Sequence, residues 1–528
     1  MNLSEYLDTV ALRICGLIEV PNPDAQEKLM FVNDLDGIVR QRIIEAKTWY
    51  DGDSDRLANL YRVDAMIDFR TEPFYWKNRR RFFWATAVLE DEYKLSHSGF
   101  ARDMVDTTVT IIGTPNVKCA NPEDLATLNR ILDANSFWAT YRQIQMPMTL
   151  VAGWGAYKID WNTRVYGNVP CISFTSAPDV VIHKVGPMTI GMTFLHWYSD
   201  LKGGKMLLSE TRAKTGNGTY AIEYKAFKAS GDESLSECDP TEIPNMRKPV
   251  DWTNNPVPFA VPCSFYADTL YGYCGKGIFS GKIDLLDALD QALSQMDNTV
   301  RRAAPLDIFD LEYCERDRVT KLPKLPRTFE RRFIGIRGAK NADGSSSANK
   351  PVDTIQPAVN VDMFLQHIDE LKRTIIGGHL SPASMGLDVA KKDNADAQRE
   401  KEKQTIFTRN HLTKEESAVL KELFNEVLMA HEFLSKGKIT KTDYGVSVEY
   451  DEFSDASYES KMESLSAALS VGAISPRMFV ERVYGRTISE EDKAAEIKAL
   501  EERHAQKQRM EEEDDEDAVD GAVLGEGE

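Results

Sequence analysis

The sequence predicts an α+β protein in which helices and an antiparallel sheet occupy separate stretches of chain. Three observations carry this. Residues 281–302 and 359–376 each set apolar side chains at steps of three and four, the period of a helix buried along one stripe. From Thr149 to Lys228, short alternating runs are punctuated by Gly, Asn and Pro, which is the pattern of antiparallel strands joined by turns. From Ala395 onward, long helical patterns return.

In chain order, residues 1–79 read as an N-terminal helical region. Leu3, Leu7, Val10, Ile14 and Leu17 form one stripe, and a second helix runs from Gln26 to about Tyr50. Asp51-Gly-Asp-Ser-Asp55 opens like a calcium loop, but Arg56 and Arg62 stand where the glycine and the bidentate glutamate are needed. A capped turn is expected instead. Phe74–Trp84 (FYWKNRRRFFW) interleaves cations with aromatics, a pattern that could stack single-stranded bases. The expected form is plainer: aromatics in the core, with Lys77, Arg79 and Arg81 in water. A further helix ends at Gly113, and a short one covers Phe137 to Met148.

Strand-like runs follow at 149–160, 170–176, 180–185, 191–198, 205–209 and 220–228, with hairpin signals at Gly203-Gly204 and Gly216-Asn-Gly218. Residues 229–256 are polar and Pro-rich and read as a surface excursion; 257–266 is extended again. GYCGKGIFSGK (272–282) fails as a phosphate loop. Five residues separate Gly275 from Gly281 where four are needed, and Ile283 replaces the Ser or Thr. Its glycines are expected to shape the lead-in to the first striped helix.

That helix carries Leu286, Leu289, Leu293, Met296 and Val300 on one stripe, with Asp284, Asp287, Asp290 and Asp297 off it. Arg301 and Arg302 close it where cations suit its dipole, and Pro305 ends it. The second carries Val361, Phe364, Leu365, Ile368, Leu371 and Ile375 and stops at Gly377-Gly378. Neither stripe has an obvious partner within one chain. Between the helices, residues 312–350 hold ten Lys/Arg against five acids. The cations include Arg316, Arg318, Lys321, Lys324, Arg327, Arg331, Arg332 and Arg337. RTFERRFIGIRG alternates like a strand. Residues 379–394 read as a loop, followed by a helix from Ala395 to about Leu434 with a break near Thr413. VSVEY is strand-like, 455–509 is helical, and 511–528 is too acidic to fold.

The net charge is -19, and the last 18 residues carry ten acids and no base. Such a body does not bind nucleic acid over its whole surface. Any DNA contact must come from a local basic patch or a passive channel. Seven cysteines without a C-x-x-C spacing point to reduced thiols, with no disulfide or zinc framework. Eight scattered histidines show no ligand spacing, so no metal or other cofactor is expected. No apolar run is long enough to span a membrane, and the N-terminus lacks a signal-peptide pattern, so a soluble chain is expected. Without a phosphate loop or a recognisable carboxylate cluster, no enzyme is expected.

Taken in this order, the features resemble the portal protein, the head-to-tail connector of tailed bacteriophages, from about Asn78 to Met510. The resemblance implies a wing at 80–275 and a first stem helix at 276–302. A small α/β clip follows at 303–357, then a second stem helix at 358–378 and a tunnel loop at 379–394. A long helix and strand of the wing and hub would fill 395–453, opening with Asn394-Ala-Asp-Ala-Gln-Arg-Glu-Lys-Glu402, and a helical crown 454–510. The polar stretch 229–256 and the acidic tail depart from the pattern. The family forms rings, commonly of twelve subunits, at one capsid vertex of the virion after assembly in the host cytoplasm. Double-stranded DNA passes through such a ring without sequence recognition during packaging and ejection. By the resemblance, the apolar stripes would form the stem seam between subunits. Arg316 to Arg337 would dock the terminase large subunit and then a head-completion adaptor. Met385, Leu387, Lys391 and Lys392 would face the channel. Major capsid and scaffolding proteins would be further partners. Another structural head protein, or less readily a DNA-packaging enzyme, is the alternative.

Overall fold

The computed structural model describes residues 38–61, 82–86, 94–161, 167–185, 188–199, 204–215, 217–229, 235–243, 246, 252–268, 275–303, 305–310, 316–320, 332–336, 352–356, 358–388, 395–450, 458–471, 473–484 and 492–503. Contacts divide the chain into two units, 1–389 with 401–451, and 390–400 with 452–528.

The first unit opens with α1 (Ile38–Asp51) and α2 (Ser54–Tyr61). In the turn between them, Asp53 Oδ1 accepts from the amides of Asp55 at 3.0 Å and Arg56 at 3.3 Å, the capped turn expected here. The short helix α3 (Phe83–Thr86) ends the aromatic cluster, and Phe82, Phe83 and Trp84 are buried. Lys77, Arg79 and Arg81 lie outside the described residues, as do the stripe at 3–17 and the tail at 511–528. After α4 (Phe100–Ile112), β1 (Asn116–Lys118) and α5 (Pro122–Ala134) comes a continuous helical run. It comprises α6 (Phe137–Thr140), a π-turn (Tyr141–Gln145) and α7 (Met146–Ala152). Residues 149–152 therefore belong to a helix, not to the expected strand. Gly153, at φ 94, turns the chain out of that helix.

The strands are β2 (Trp154–Asp160), β3 (Cys171–Ser176), β4 (Val180–Val185), β5 (Met188–Ser199), β6 (Lys205–Lys214), β7 (Tyr220–Ala229), β8 (Leu235–Cys238), β9 (Trp252–Asn255) and β10 (Ala260–Ser264). Strands β4-β5-β6-β7-β8 form an antiparallel meander, with β9 also on β7, and β10-β2-β3 form a second sheet. The stretch 229–256 is thus not a free excursion, because β8 and β9 extend the sheet. A charge network, buried at Lys158, Glu210 and Arg212, joins β6 to β2. Arg212 Nε meets Glu210 Oε1 at 2.6 Å, Arg212 Nη2 meets Asp160 Oδ1 at 2.6 Å, and Lys158 Nζ meets Glu210 Oε2 at 2.9 Å.

Next come α8 (Ile283–Arg302), β11 (Leu306–Asp310), β12 (Arg332–Ile336), β13 (Val352–Ile355), α9 (Val361–Ile376), α10 (Ala395–Lys436) and β14 (Ser447–Glu449). β14 pairs antiparallel with β1, closing the unit. α10 runs through Thr413 unbroken, against the expected interruption. Leu412, Leu420, Leu423, Phe424 and Val427 keep one face of it in the helical core with Trp49, Trp84, Phe137 and Leu289. In the second unit, α11 (Tyr458–Ser470) and α12 (Pro476–Tyr484) pack through Leu465, Leu469, Phe479 and Val480.

Candidate assembly hairpin

α8 and α9 pack on each other, and the start of one meets the end of the other. Lys282 Nζ donates to the carbonyls of Ile375 and Gly377, the latter at 3.1 Å. An ammonium there satisfies carbonyls that the end of α9 leaves open. Burial lowers the Lys282 pKa. At the other end of α9, Asn360 Oδ1 accepts from Met363 N at 3.2 Å as an N-cap. Twenty residues of α8 span about 30 Å, and the hairpin carries the β11–β13 segment at its far end.

Leu286 and Leu289 are 0% exposed and Ile375 is 0%, with Ile368 at 5%. Leu293, Met296 and Leu371 pack half-buried on the same core, and Phe364 is half-buried. Toward the far end the covering stops. Val300 is 50% exposed, Leu365 51% and Val361 38%. The expectation that both stripes lack a partner inside one chain is therefore corrected over the near half, which its own chain seals. In the far half, among the described residues, Val300 and Leu365 stay about half exposed.

Two of the four acids off the stripe, Asp287 and Asp290, are buried acceptors rather than solvated charges. Asp287 accepts from Phe83 N at 2.8 Å and Trp84 N at 3.3 Å. Asp290, fully buried, holds Trp84 Nε1 at 3.0 Å, Ser98 N at 2.8 Å and His97 Nδ1 at 2.7 Å. Ser294 Oγ takes Ser96 N at 2.9 Å, and Asn298 Oδ1 takes Lys94 N at 3.1 Å. From Asp290 onward, one side chain per helical turn serves every second residue of an extended segment. Four helical residues rise about 6 Å and two extended residues about 6.6 Å, so the two repeats keep step. The signal missed in the sequence was a second, polar stripe at 287, 290, 294 and 298. Burial pushes the Asp287 carboxyl up to about 6.

The chain's glycines set the near end of the hairpin. A Cβ on Gly275 would lie 1.9 Å from Gly153 O, and one on Gly277 would lie 2.2 Å from Val151 O. Backbone approaches this close exclude any side chain. They shape the lead-in to α8, as expected of GYCGKGIFSGK.

At the far end, β11 lies between β12, parallel, and β13, antiparallel. Thr354 Oγ1 donates to Asp307 Oδ1 at 2.7 Å within this sheet. Among the docking cations, Arg316 and Arg318 are exposed. The backbone of Arg332 pairs with Leu306. Lys321, Lys324, Arg327, Arg331 and Arg337 lie outside the described residues.

Residues 379–388 depart from the free loop that was expected. Pro382–Met385 forms a 3-10 turn. Ser381 N donates to Thr405 Oγ1 at 2.8 Å, Ser384 Oγ meets the same hydroxyl at 2.7 Å, and Thr408 Oγ1 donates to His379 O at 2.6 Å. His379 Nε2 lies 3.1 Å from Thr108 Oγ1, and burial lowers its pKa to about 4. Met385 and Leu387 rest half-buried on the helical core. Pro382 and Gly386 keep the backbone irregular, and the hydroxyls of α10 hold it down. Lys391 and Lys392 lie outside the described residues, and among the described residues no three His, Cys, Asp or Glu side chains converge on a metal position.

No protein-family model and no curated protein matches the sequence. A solved structure described as the neck of an empty GTA particle computed with C6 symmetry is similar at a TM-score of 0.37 and 13% identity. The similarity covers 75% of this chain and 89% of that one. It is too loose to bear on fold or function.

Proposed function

We propose that the chain is a portal-type subunit: a non-enzymatic protein that closes into a ring and gives double-stranded DNA a passage at one vertex of a phage head. The observation that carries this is the far half of the hairpin. Two helices anchored at one end in their own core leave Val300, Val361 and Leu365 exposed at the other. Apolar side chains repeated along two helices in this way fit a neighbouring copy related by rotation, the heterologous contact that generates rings. Leu293, Met296, Phe364 and Leu371 would flank that seam.

In this reading Arg316 and Arg318 belong to the end that meets the terminase large subunit and later an adaptor protein. Capsid and scaffolding proteins would surround the wing. The remaining cations between Lys321 and Arg337 would act with them, and Lys391 and Lys392 would add a weak positive collar to an otherwise acidic passage. An acidic wall lets DNA slide, because few counterions are released on contact. The test is negative-stain imaging of the purified chain at micromolar concentration. Annuli with a central hole are expected. Monomers, open filaments or closed shells would overturn the ring and favour another head protein.

A further inference from the structure

A cleft of about 450 Å3 is lined by α4, the π-turn at Tyr141–Gln145 and the end of α1. Arg102 and Asp106 stand four residues apart on α4 and so lie side by side on its wall. Arg142 comes from the π-turn, which buries Tyr141 and Gln145 and leaves Arg142 exposed. Such single turns are rare within helices and recur at functional sites. The buried Val109 and Pro147 give the cleft an apolar part, and Ile144, next along the π-turn, is 52% exposed.

One of the two cations is held ready. The Arg102 guanidinium lies 5.5 Å over the Tyr50 ring and donates Nη2 to Asp51 O at 3.2 Å. The Tyr50 hydroxyl in turn donates to Asp106 Oδ1 at 3.3 Å. Burial, with the Asp106 carboxylate beside it, pushes that hydroxyl up to about 12, so it stays a donor. Most of the five donors of Arg102 remain open to a ligand. Arg142 makes no hydrogen bond or ion pair among the described residues. Positive charge alone would suit many anions, but the acids here narrow the choice. Asp106 faces the same cleft, and Asp51 and Asp103 are exposed beside Tyr50 and Arg102 in the chain. A run of phosphates would meet these acids, whereas a single carboxylate meets the guanidinium groups.

We propose that this cleft docks a carboxylate-bearing segment of a partner protein. An acidic side chain of the segment meets Arg102 and Arg142, and an aliphatic neighbour rests on Val109 and Pro147. The planar guanidinium fork suits a carboxylate, and the stacking on Tyr50 reduces the ordering that binding requires. None of these residues belongs to the hairpin seam, so docking here does not depend on ring formation.

The test uses the full chain and a fluorescein-labelled octapeptide, Gly-Ser-Leu-Glu-Leu-Glu-Ser-Gly, followed by fluorescence polarisation at about 50 mM salt. Saturable binding with a Kd below about 0.3 mM is expected. The same peptide with both Glu changed to Gln should bind the wild type about tenfold more weakly. Arg142→Ala should weaken the original peptide by a similar factor and, since Arg142 is exposed and unpaired, keep the wild-type denaturation midpoint. No binding up to that concentration, equal binding of the Gln peptide, or an unchanged Kd in Arg142→Ala overturns the proposal. The Gln peptide supplies its criterion on the wild type alone, whether or not the variant folds. A DNA duplex of about 20 base pairs that binds more tightly than the peptide, and loses that binding in Arg142→Ala, would assign the cleft to nucleic acid and overturn it as well.

Discussion

At the near end of the hairpin, Leu286, Leu289 and Ile375 are sealed inside their own chain, whereas at the far end Val300 and Leu365 stand about half in water. One heptad-like pattern runs through both ends. The period records that a stripe is to be covered and is silent on which surface covers it. What separates the ends is the core at the start of α8, where Leu286 and Leu289 are sealed and Lys282 ties the helix to the end of α9. The polar face runs along both halves, with Asp287, Asp290, Ser294 and Asn298 holding residues 83–84 and 94–98. The near end is a fixture. The far end is a surface waiting for a neighbour.

The largest effect should come from breaking the near end. Leu289→Ala removes a fully buried side chain from a packed core and should cost about 3–5 kcal/mol in chemical denaturation. A loss under about 1 kcal/mol would mean that the core collapses around the site and the two ends are less different than burial implies. Asp290→Ala comes next. It leaves Trp84 Nε1, Ser98 N and His97 without their shared acceptor, at about 3 kcal/mol. Asp290→Asn keeps an acceptor oxygen and should cost clearly less. Equal losses in the two variants would show that acceptance by this side chain is not what holds the segment.

These residues also mark how far the sequence could be read. Both hairpin helices, the meander strands and the strands in RFIGI and VSVEY follow from periodicity, since each buries one face repeatedly. The polar stripe of α8 went unrecognised because an Asp off an apolar stripe is usually solvated, and its partners lie some 200 residues away in sequence. The packing of 379–388 was illegible for a similar reason. Pro382 and Gly386 signal irregular backbone, but Thr405 and Thr408, which hold it, belong to the next helix. In 229–256, composition spoke for a surface excursion, yet a bare sheet edge at β7 was there to recruit β8 and β9.

A pH titration sharpens the comparison at smaller amplitude. The folded pKa of Asp287, about 6, lies above its ordinary value of 3.8. The folded chain then holds a proton that the unfolded chain has lost between those values. Its contribution is fully present below the unfolded pKa and disappears as pH rises through about 6. Asp287→Asn fixes the neutral form. Relative to that variant, the wild type should lose about 2 kcal/mol of stability between pH 4 and pH 7. A constant difference across that range would place the Asp287 pKa at its ordinary value.

The smallest change in folding stability should accompany the clearest change in assembly. Val300→Asp and Leu365→Asp put a charge on the far half of the hairpin, where the isolated chain already meets water. Neither removes a core contact comparable to Leu289. Each should leave the denaturation midpoint of a dissociated subunit within about 0.5 kcal/mol of wild type. In a seam between copies the same carboxylate would be buried without a partner, at several kcal/mol per subunit, and the cost would recur at every interface of a closed ring. Sedimentation velocity alongside denaturation separates the two effects. The expected result is a normally folded chain that no longer forms the large species. Unchanged assembly in both variants would move the intersubunit contact elsewhere, and loss of folding in both would place the far half inside the core with the near half.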